Sequence, residues 1–267
     1  MDLFYRVKGD GPPVLLLHGL FGSADNLGAL ARSLEDDHRV VAVDLRNHGR
    51  SPHSDSMTYA DMAADVLAVM DREGIDTADV FGHSMGGKVA MQMALSKGDR
   101  VRHLIVGDIA PVAYGRHHDR ILEGLKAVDA ARPNSRGKAQ KMLAAYEKEP
   151  AIQSFLVTNW RRDTDSGAWG WRINLDGIID NYEHIMDAVD GDSFNGPVLF
   201  IKGSESDYLT NGHRKRIMKL FPKATLRTVE GAGHWFHAEK PALTARLVRR
   251  FLDHESQNAD QPGEEVQ

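Results

Sequence analysis

Asp79-Val80-Phe81-Gly82-His83-Ser84-Met85-Gly86-Gly87 is the stretch whose reading decides the fold. It contains Gly-x-Ser-x-Gly, a pattern that a chain of this length shows by accident about one time in ten at ordinary glycine and serine usage. The setting is more specific than the letters. An apolar strand precedes Gly82, and a helical pattern through Val89, Ala90, Met93 and Ala94 follows Gly87. A sharp strand-to-helix turn strains the serine, and small neighbours let a second backbone and a substrate approach it. The helix amino terminus just beyond favours negative charge at a reacting centre. Ser84 is therefore the predicted nucleophile.

Outward from this turn, short apolar strands alternate with amphipathic helices. Val14-Leu15-Leu16-Leu17 runs into His18-Gly19, and Val40-Val41-Ala42-Val43 ends at Asp44. Further strands are predicted at Leu104 to Val106, Val198 to Ile201 and Leu226 to Val229. Thr58 to Asp61 forms a capping box that opens a helix with Met62, Val66 and Val69 on one face. A last helix from about Pro241 carries Leu243, Leu247 and Phe251. This rhythm predicts an α/β fold, a mostly parallel sheet with helices on both faces. It breaks between Pro111 and Asn195, where helical patterns such as Ile121-Leu122-Leu125-Val128 occur without a convincing strand. That stretch also holds Trp160, Trp169 and Trp171, three of the four tryptophans. We expect a core of residues 1–111 and 195–254, an inserted helical cap over 112–194, and a disordered tail over 255–267.

Composition narrows the function classes. A length of 267 residues suits one α/β domain with an insertion. The net charge of -5 supplies no broad basic field, which argues against nucleic acid as a partner. The absence of cysteine excludes a thiol nucleophile, disulfides and cysteine-based zinc sites. The longest aliphatic runs are strand-sized, so no membrane span is expected, and the first residues lack a secretory pattern, so a cytoplasmic location is expected. His117-His118 looks like a metal pair, but adjacent helix positions point apart, and a solvated face is the expectation. No metal and no cofactor are predicted.

A serine hydroxyl needs a base. His234 follows Gly231-Ala232-Gly233 directly after the last strand, where small residues let the imidazole reach the carboxyl edge of the sheet. His237 is its nearest rival, behind the bulky Trp235-Phe236. An oxyanion needs two preorganised donors. Met85 N–H supplies one, and the loop after His18-Gly19 the other, from Leu20 with Phe21 as the alternative. His18 itself is read as a structural residue. Phe21, His83, Trp160, Trp169 and Trp235 are the candidate substrate contacts, although tryptophans at this density serve equally as the core of a cap.

The His18-Gly19 loop, the stretch from Asp44 to Ser51, the serine turn and the Gly231-to-Trp235 end together resemble the α/β-hydrolase superfamily over nearly the whole chain. Finer detail resembles the YbfF-type bacterial esterases: His18-Gly19-Leu20-Phe21-Gly22-Ser23, Asp44-Leu45-Arg46-Asn47-His48-Gly49-Arg50-Ser51, Gly107-Asp108-Ile109-Ala110-Pro111 and Trp171-Arg172-Ile173-Asn174-Leu175-Asp176. The resemblance implies an α/β-hydrolase fold with a helical cap, and a carboxylesterase-type serine hydrolase. Its substrates would be small-molecule esters of small to medium acyl chains, with acyl-CoA thioesters as a second class. In many relatives the triad acid stands three residues after the glycine corresponding to Gly203. Here that residue is Ser206, which carries no carboxylate. Asp207 is one position out, and Asp44 precedes Ser84, out of order for this fold. The resemblance favours Asp108 as the acid with Ser206 in support, and Asp207 is the alternative. A carbon–carbon bond hydrolase or a perhydrolase would use the same triad. A binding protein that had lost catalysis is the non-enzyme reading, and a fluorophosphonate probe separates it from an active serine enzyme.

Overall fold

The computed structural model describes residues 1–259. Strands β1 (Tyr5–Lys8), β2 (Pro13–Leu17) and β3 (Arg39–Val43) are followed by β4 (Ala78–His83) and β5 (Val101–Gly107). Helices α1 (Gly28–Leu34), α2 (Tyr59–Arg72) and α3 (Met85–Ser96) connect them. Between β5 and the next strand of the main sheet lie α4 (Asp119–Ala131), α5 (Arg136–Leu143), α6 (Pro150–Leu156), the strands β6 (Trp160–Arg162) and β7 (Trp169–Trp171), α7 (Leu175–Asp180) and α8 (Tyr182–Met186). The chain then adds β8 (Val198–Gly203), α9 (Arg214–Leu220), β9 (Ala224–Val229), α10 (Phe236–Glu239) and α11 (Pro241–Ala259).

The main sheet has the order β1-β3-β2-β4-β5-β8-β9. Only β1 runs antiparallel, against β3. Both faces of the central strands are covered, and alternate residues feed opposite cores. Leu15 and Leu17 of β2 pack with α2 and α3, whereas Val14 and Leu16 pack with α1 and α11. From β2 the chain moves to β3 on one side and returns to β4 on the other. The carboxyl ends of β2 and β4 thus flank the switch point, where open α/β sheets bind ligands.

Three features depart from the sequence reading. The inserted segment carries the β6–β7 hairpin, paired Trp160 to Trp171, and is not purely helical. The strand β1 has no apolar run and was not foreseen; it is an exposed edge strand. Helix α11 continues through Ala259, so residues 255–259 are helical and not a disordered tail. Residues 260–267 of the expected tail lie outside the described residues. Among the described residues, no helix is long and apolar enough to cross a membrane.

The inserted segment is bound to the loop after β3. Asn174 donates through Nδ2 to Asn47 Oδ1 at 3.0 Å, Arg172 Nε donates to the Gly49 carbonyl at 2.9 Å, and Asn181 Nδ2 donates to the Asp55 carbonyl at 2.8 Å. Two of the sequence stretches that carry the family resemblance thus meet in space.

Candidate active site

Ser84 joins β4 to α3 at φ 54° and ψ -120°, a conformation that non-glycine residues rarely adopt. The glycines around it are required by contact. A Cβ on Gly82 would stand 2.1 Å from the Gly86 carbonyl oxygen, and one on Gly86 would stand 2.3 Å from that of Leu17. The N–H of Ser84 donates to the Gly107 carbonyl at 2.8 Å, which ties the turn to the end of β5.

Asp108 follows β5 directly, at φ 50° and fully buried. Its N–H donates to the Ile201 carbonyl at 2.8 Å, which fixes the residue beside β8. His234 arrives from β9 across the end of β8, where a Cβ on Gly203 would stand 2.1 Å from the Gly233 carbonyl oxygen. The His234 carbonyl accepts from His83 Nε2 at 2.8 Å. The imidazole then bridges the other two residues: Nδ1 donates to Asp108 Oδ2 at 2.8 Å, and Nε2 accepts from Ser84 Oγ at 3.0 Å. The Tyr208 ring stacks on the imidazole, with centroids 4.0 Å apart and planes 22° from parallel. Ser206 Oγ donates to the same Asp108 Oδ2, so it contacts the carboxylate and not the histidine. Asp108 Oδ1 has no hydrogen-bond partner among the described residues. Asp207 is exposed and makes no hydrogen bond to His234.

The loop after β2 is held by two buried histidines. His18 Nε2 accepts the Leu45 N–H at 3.0 Å while its Nδ1 donates to the Gly19 carbonyl at 2.8 Å. His48 Nε2 accepts the Phe21 N–H at 3.1 Å, and its Nδ1 donates to the Arg46 carbonyl at 2.9 Å. Burial holds both rings neutral, lowering the pKa of His18 to about 4 and that of His48 to about 3. Asp44 belongs to the same frame, accepting from Ala24 N–H at 2.7 Å and Arg50 N–H at 2.8 Å. The Phe21 N–H is therefore engaged and is no oxyanion donor. Among the described residues, the Leu20 N–H has no acceptor. Met85 opens α3, where the first N–H groups of a helix lack partners within it.

Two narrow cavities meet at Ser84. One, of about 40 Å³, is lined by Leu20, His234, Trp235, Phe155, His118 and His237. The other, of about 20 Å³, is lined by Met85, Lys88, Tyr114, Tyr208, Ile185 and Met186. Larger clefts, of about 610 Å³ against α11 and about 340 Å³ beside α9, contain none of the three bridged residues.

Several expected substrate contacts lie elsewhere. Trp160 is fully buried, donates through Nε1 to the Pro133 carbonyl at 2.9 Å and packs edge-on against Trp171 at 4.9 Å. Trp169 lies on the same hairpin and lines neither cavity, and neither does the buried Phe21. His83 reaches the wall of the first cavity, but its ring is buried and its Nε2 holds the His234 backbone. Trp235 alone of the five both lines a cavity and faces Phe155, at 5.9 Å. His118, expected on a solvated face, lines both cavities, and burial lowers its pKa to about 4. The sequence reading also missed Tyr208, Tyr114 and Lys88. Lys88 had a signal: a cation in the first turn of a helix opposes the helix dipole and needs a reason.

Residues 14–247 match the alpha/beta hydrolase family. The chain belongs to this family. It is 40% identical over 242 residues to "Esterase YbfF" of Escherichia coli (strain K12), covering 90% of this chain and 93% of that protein. It is 38% identical over 250 residues to "sn-1-specific diacylglycerol lipase ABHD11" of Mus musculus, covering 90% of this chain and 81% of that one. The solved structure of a "Marine microorganism esterase" superposes with a TM-score of 0.90 at 39% identity, covering 94% of this chain and 99% of that one. The hydrolase core described above is thus shared over almost its whole length.

Proposed function

We propose that this ester-hydrolysing α/β hydrolase works through an acyl-enzyme on Ser84, with His234 as base and Asp108 as the acid that orients it. The chain is an enzyme of the esterase class acting on small-molecule substrates, as its family and its curated relatives indicate. The observation that carries the mechanism is the unbroken bridge from Asp108 Oδ2 through the His234 ring to Ser84 Oγ, at 2.8 and 3.0 Å. In the first step Ser84 Oγ attacks the ester carbonyl and its proton passes to His234 Nε2. The carbonyl oxygen becomes an anion between the N–H groups of Leu20 and Met85. His234 returns the proton to the departing alcohol, the C–O bond breaks, and the acyl group remains on Ser84. Water then repeats the sequence, with His234 removing its proton, and the carboxylic acid leaves. Asp108 accepts the Nδ1–H and balances the imidazolium while it exists. Ser206 donates to Asp108 and helps to hold its carboxylate in place.

The substrates proposed are esters of small to medium acyl chains, with acyl-CoA thioesters as a second class. The small volumes beside Ser84 support the short end of that range. The leaving oxygen has to take its proton from His234, so the cavity that includes His234 and Trp235 receives the alcohol. The one with Met85 and Met186 receives the acyl group. Ser84→Ala is expected to lower turnover of p-nitrophenyl acetate by several orders of magnitude in folded protein, and a fluorophosphonate probe should label the wild type alone. Near-normal kcat in the variant would end this reading.

A further inference from the structure

Three successive carbonyls at the end of α8 are tied down beside the acyl cavity. Tyr59 Oη donates to the Ile185 carbonyl at 2.6 Å. Tyr114 N–H donates to that of Met186 at 2.9 Å. Lys88 Nζ reaches the same Met186 oxygen at 3.3 Å and also bonds the Asp187 carbonyl. Ile185 and Met186 are at the same time a wall of the cavity that touches Ser84.

Lys88 is 1% exposed and lies one helical turn beyond Ser84, whose carbonyl accepts its N–H at 3.1 Å. Helical side chains lean toward the amino terminus, so this one runs back along the face that carries Ser84. An ammonium in such a place loses its hydration, and burial lowers its pKa to about 7. Two carbonyl oxygens and the rings of Tyr59 and Tyr114, at 5.3 and 4.9 Å, offset the loss. Two residues of the sheet-and-helix core, Lys88 on α3 and Tyr59 on α2, thus spend their polar groups on one short piece of the inserted segment.

We propose that Lys88 and Tyr59 clamp Ile185–Asp187 as the back wall of the acyl cavity, and so set the length of acyl chain that Ser84 accepts. With the wall held, the free space of about 20 Å³ suits the shortest acyl groups. Longer chains enter only when the wall yields. Both residues are specificity determinants, and the idea rests on the reading of Ser84 as the nucleophile.

The test is the ratio of kcat/KM for p-nitrophenyl octanoate to that for p-nitrophenyl acetate, in wild type, Lys88→Met and Tyr59→Phe. Lys88→Met should raise the ratio at least about tenfold, the discrimination that one or two methylenes carry in a fitted pocket. Tyr59→Phe should raise it by a smaller factor in the same direction. A purely structural role would lower both rates together and leave the ratio flat, and a flat ratio in folded variants overturns the proposal. Tyr59→Phe removes a single hydroxyl, so it decides the matter alone if Lys88→Met does not fold. Ester turnover that survives Ser84→Ala would overturn the nucleophile reading and this one with it. Turnover that depends on Ser84, with an unmoved ratio, overturns only the clamp.

Discussion

Asp108 Oδ2 receives two donors, the Nδ1–H of His234 and the hydroxyl of Ser206. The position three residues after Gly203 therefore contacts the proposed acid, donating a hydrogen bond to Asp108 instead of supplying a carboxylate. Replacing Asp108 by Asn turns one acceptor into a donor and favours the wrong tautomer of His234. Asp108→Asn should lower kcat roughly 10³- to 10⁴-fold. Asp207 is exposed and outside this network, so Asp207→Asn should change kcat by less than about tenfold, an effect of roughly 1 kcal/mol. Ser206→Ala should fall between the two. Steady-state rates on one ester, with circular dichroism to verify folding, decide the order. If Asp207→Asn proved the more damaging change, the assignment of the acid would be wrong.

Among elements, the loops that leave β2, β3, β4 and β5 share one device. Each contains a non-glycine residue at positive φ: Phe21, Asn47, Ser84 and Asp108. Strained residues persist only where their surroundings fix them: His18, His48 and Asp44 bind the loops after β2 and β3 to each other, and the N–H groups of Ser84 and Asp108 are held by the carbonyls of Gly107 and Ile201. The sequence made the sheet legible because its strands are buried on both faces and read as apolar runs. The turn at Ser84 and the small residues before His234 were legible for a related reason, since close backbone approach excludes side chains. What stayed hidden depends on contacts between distant segments. Tyr208 and His118 become neighbours of Ser84, and Lys88 meets Met186 and Asp187, only through folding, and three-residue strands such as β6 and β7 are too short to show a period. The tryptophans show the limit most clearly, because an apolar ring looks the same in sequence whether it fills a core or lines a cavity. Trp160→Ala should cost about 3–5 kcal/mol in urea unfolding and leave the ranking of ester substrates unchanged. Phe155→Ala or Trp235→Ala should alter the preference for the alcohol group with little loss of stability. A change of ranking in Trp160→Ala at full stability would contradict the placement of that ring in the core.

At the scale of the whole molecule, the site is framed by histidines that fold in the neutral form. Burial lowers His18, His118 and His237 to about 4 and His48 to about 3, and holds His83 well below its ordinary value. An unfolded chain binds protons at these rings from about pH 6.5 downward, whereas the native state does so only near pH 4 or below. Within that window the unfolded state carries more protons, so stability rises with pH. It is complete above about pH 6.5 and declines as the pH falls toward 4. Carboxylates held low by hydrogen bonds or ion pairs, such as Asp61 and Asp79, act only below the ordinary range of an aspartate and do not blur the window. Lys88 adds a second rising limb above about pH 7, because its amine folds more readily uncharged. The buried tyrosines reverse the trend above about pH 10, where an unfolded tyrosine ionises and Tyr208, raised to about 12, does not. Each neutral histidine should cost about 1 kcal/mol between pH 6.5 and 5.5, a substantial fraction of a total near 5–15 kcal/mol. Urea midpoints measured at pH 7.5, 6.5, 5.5 and 5.0 should fall modestly over the first interval, where the unfolded rings begin to take up protons and Lys88 adds its own loss, and then steeply. His48→Gln keeps a carbonyl and an amide at that position but cannot take up the proton, so it should flatten the fall while lowering the plateau. A midpoint that stays constant from pH 7.5 to 5.0 would mean these rings are not held neutral by the fold.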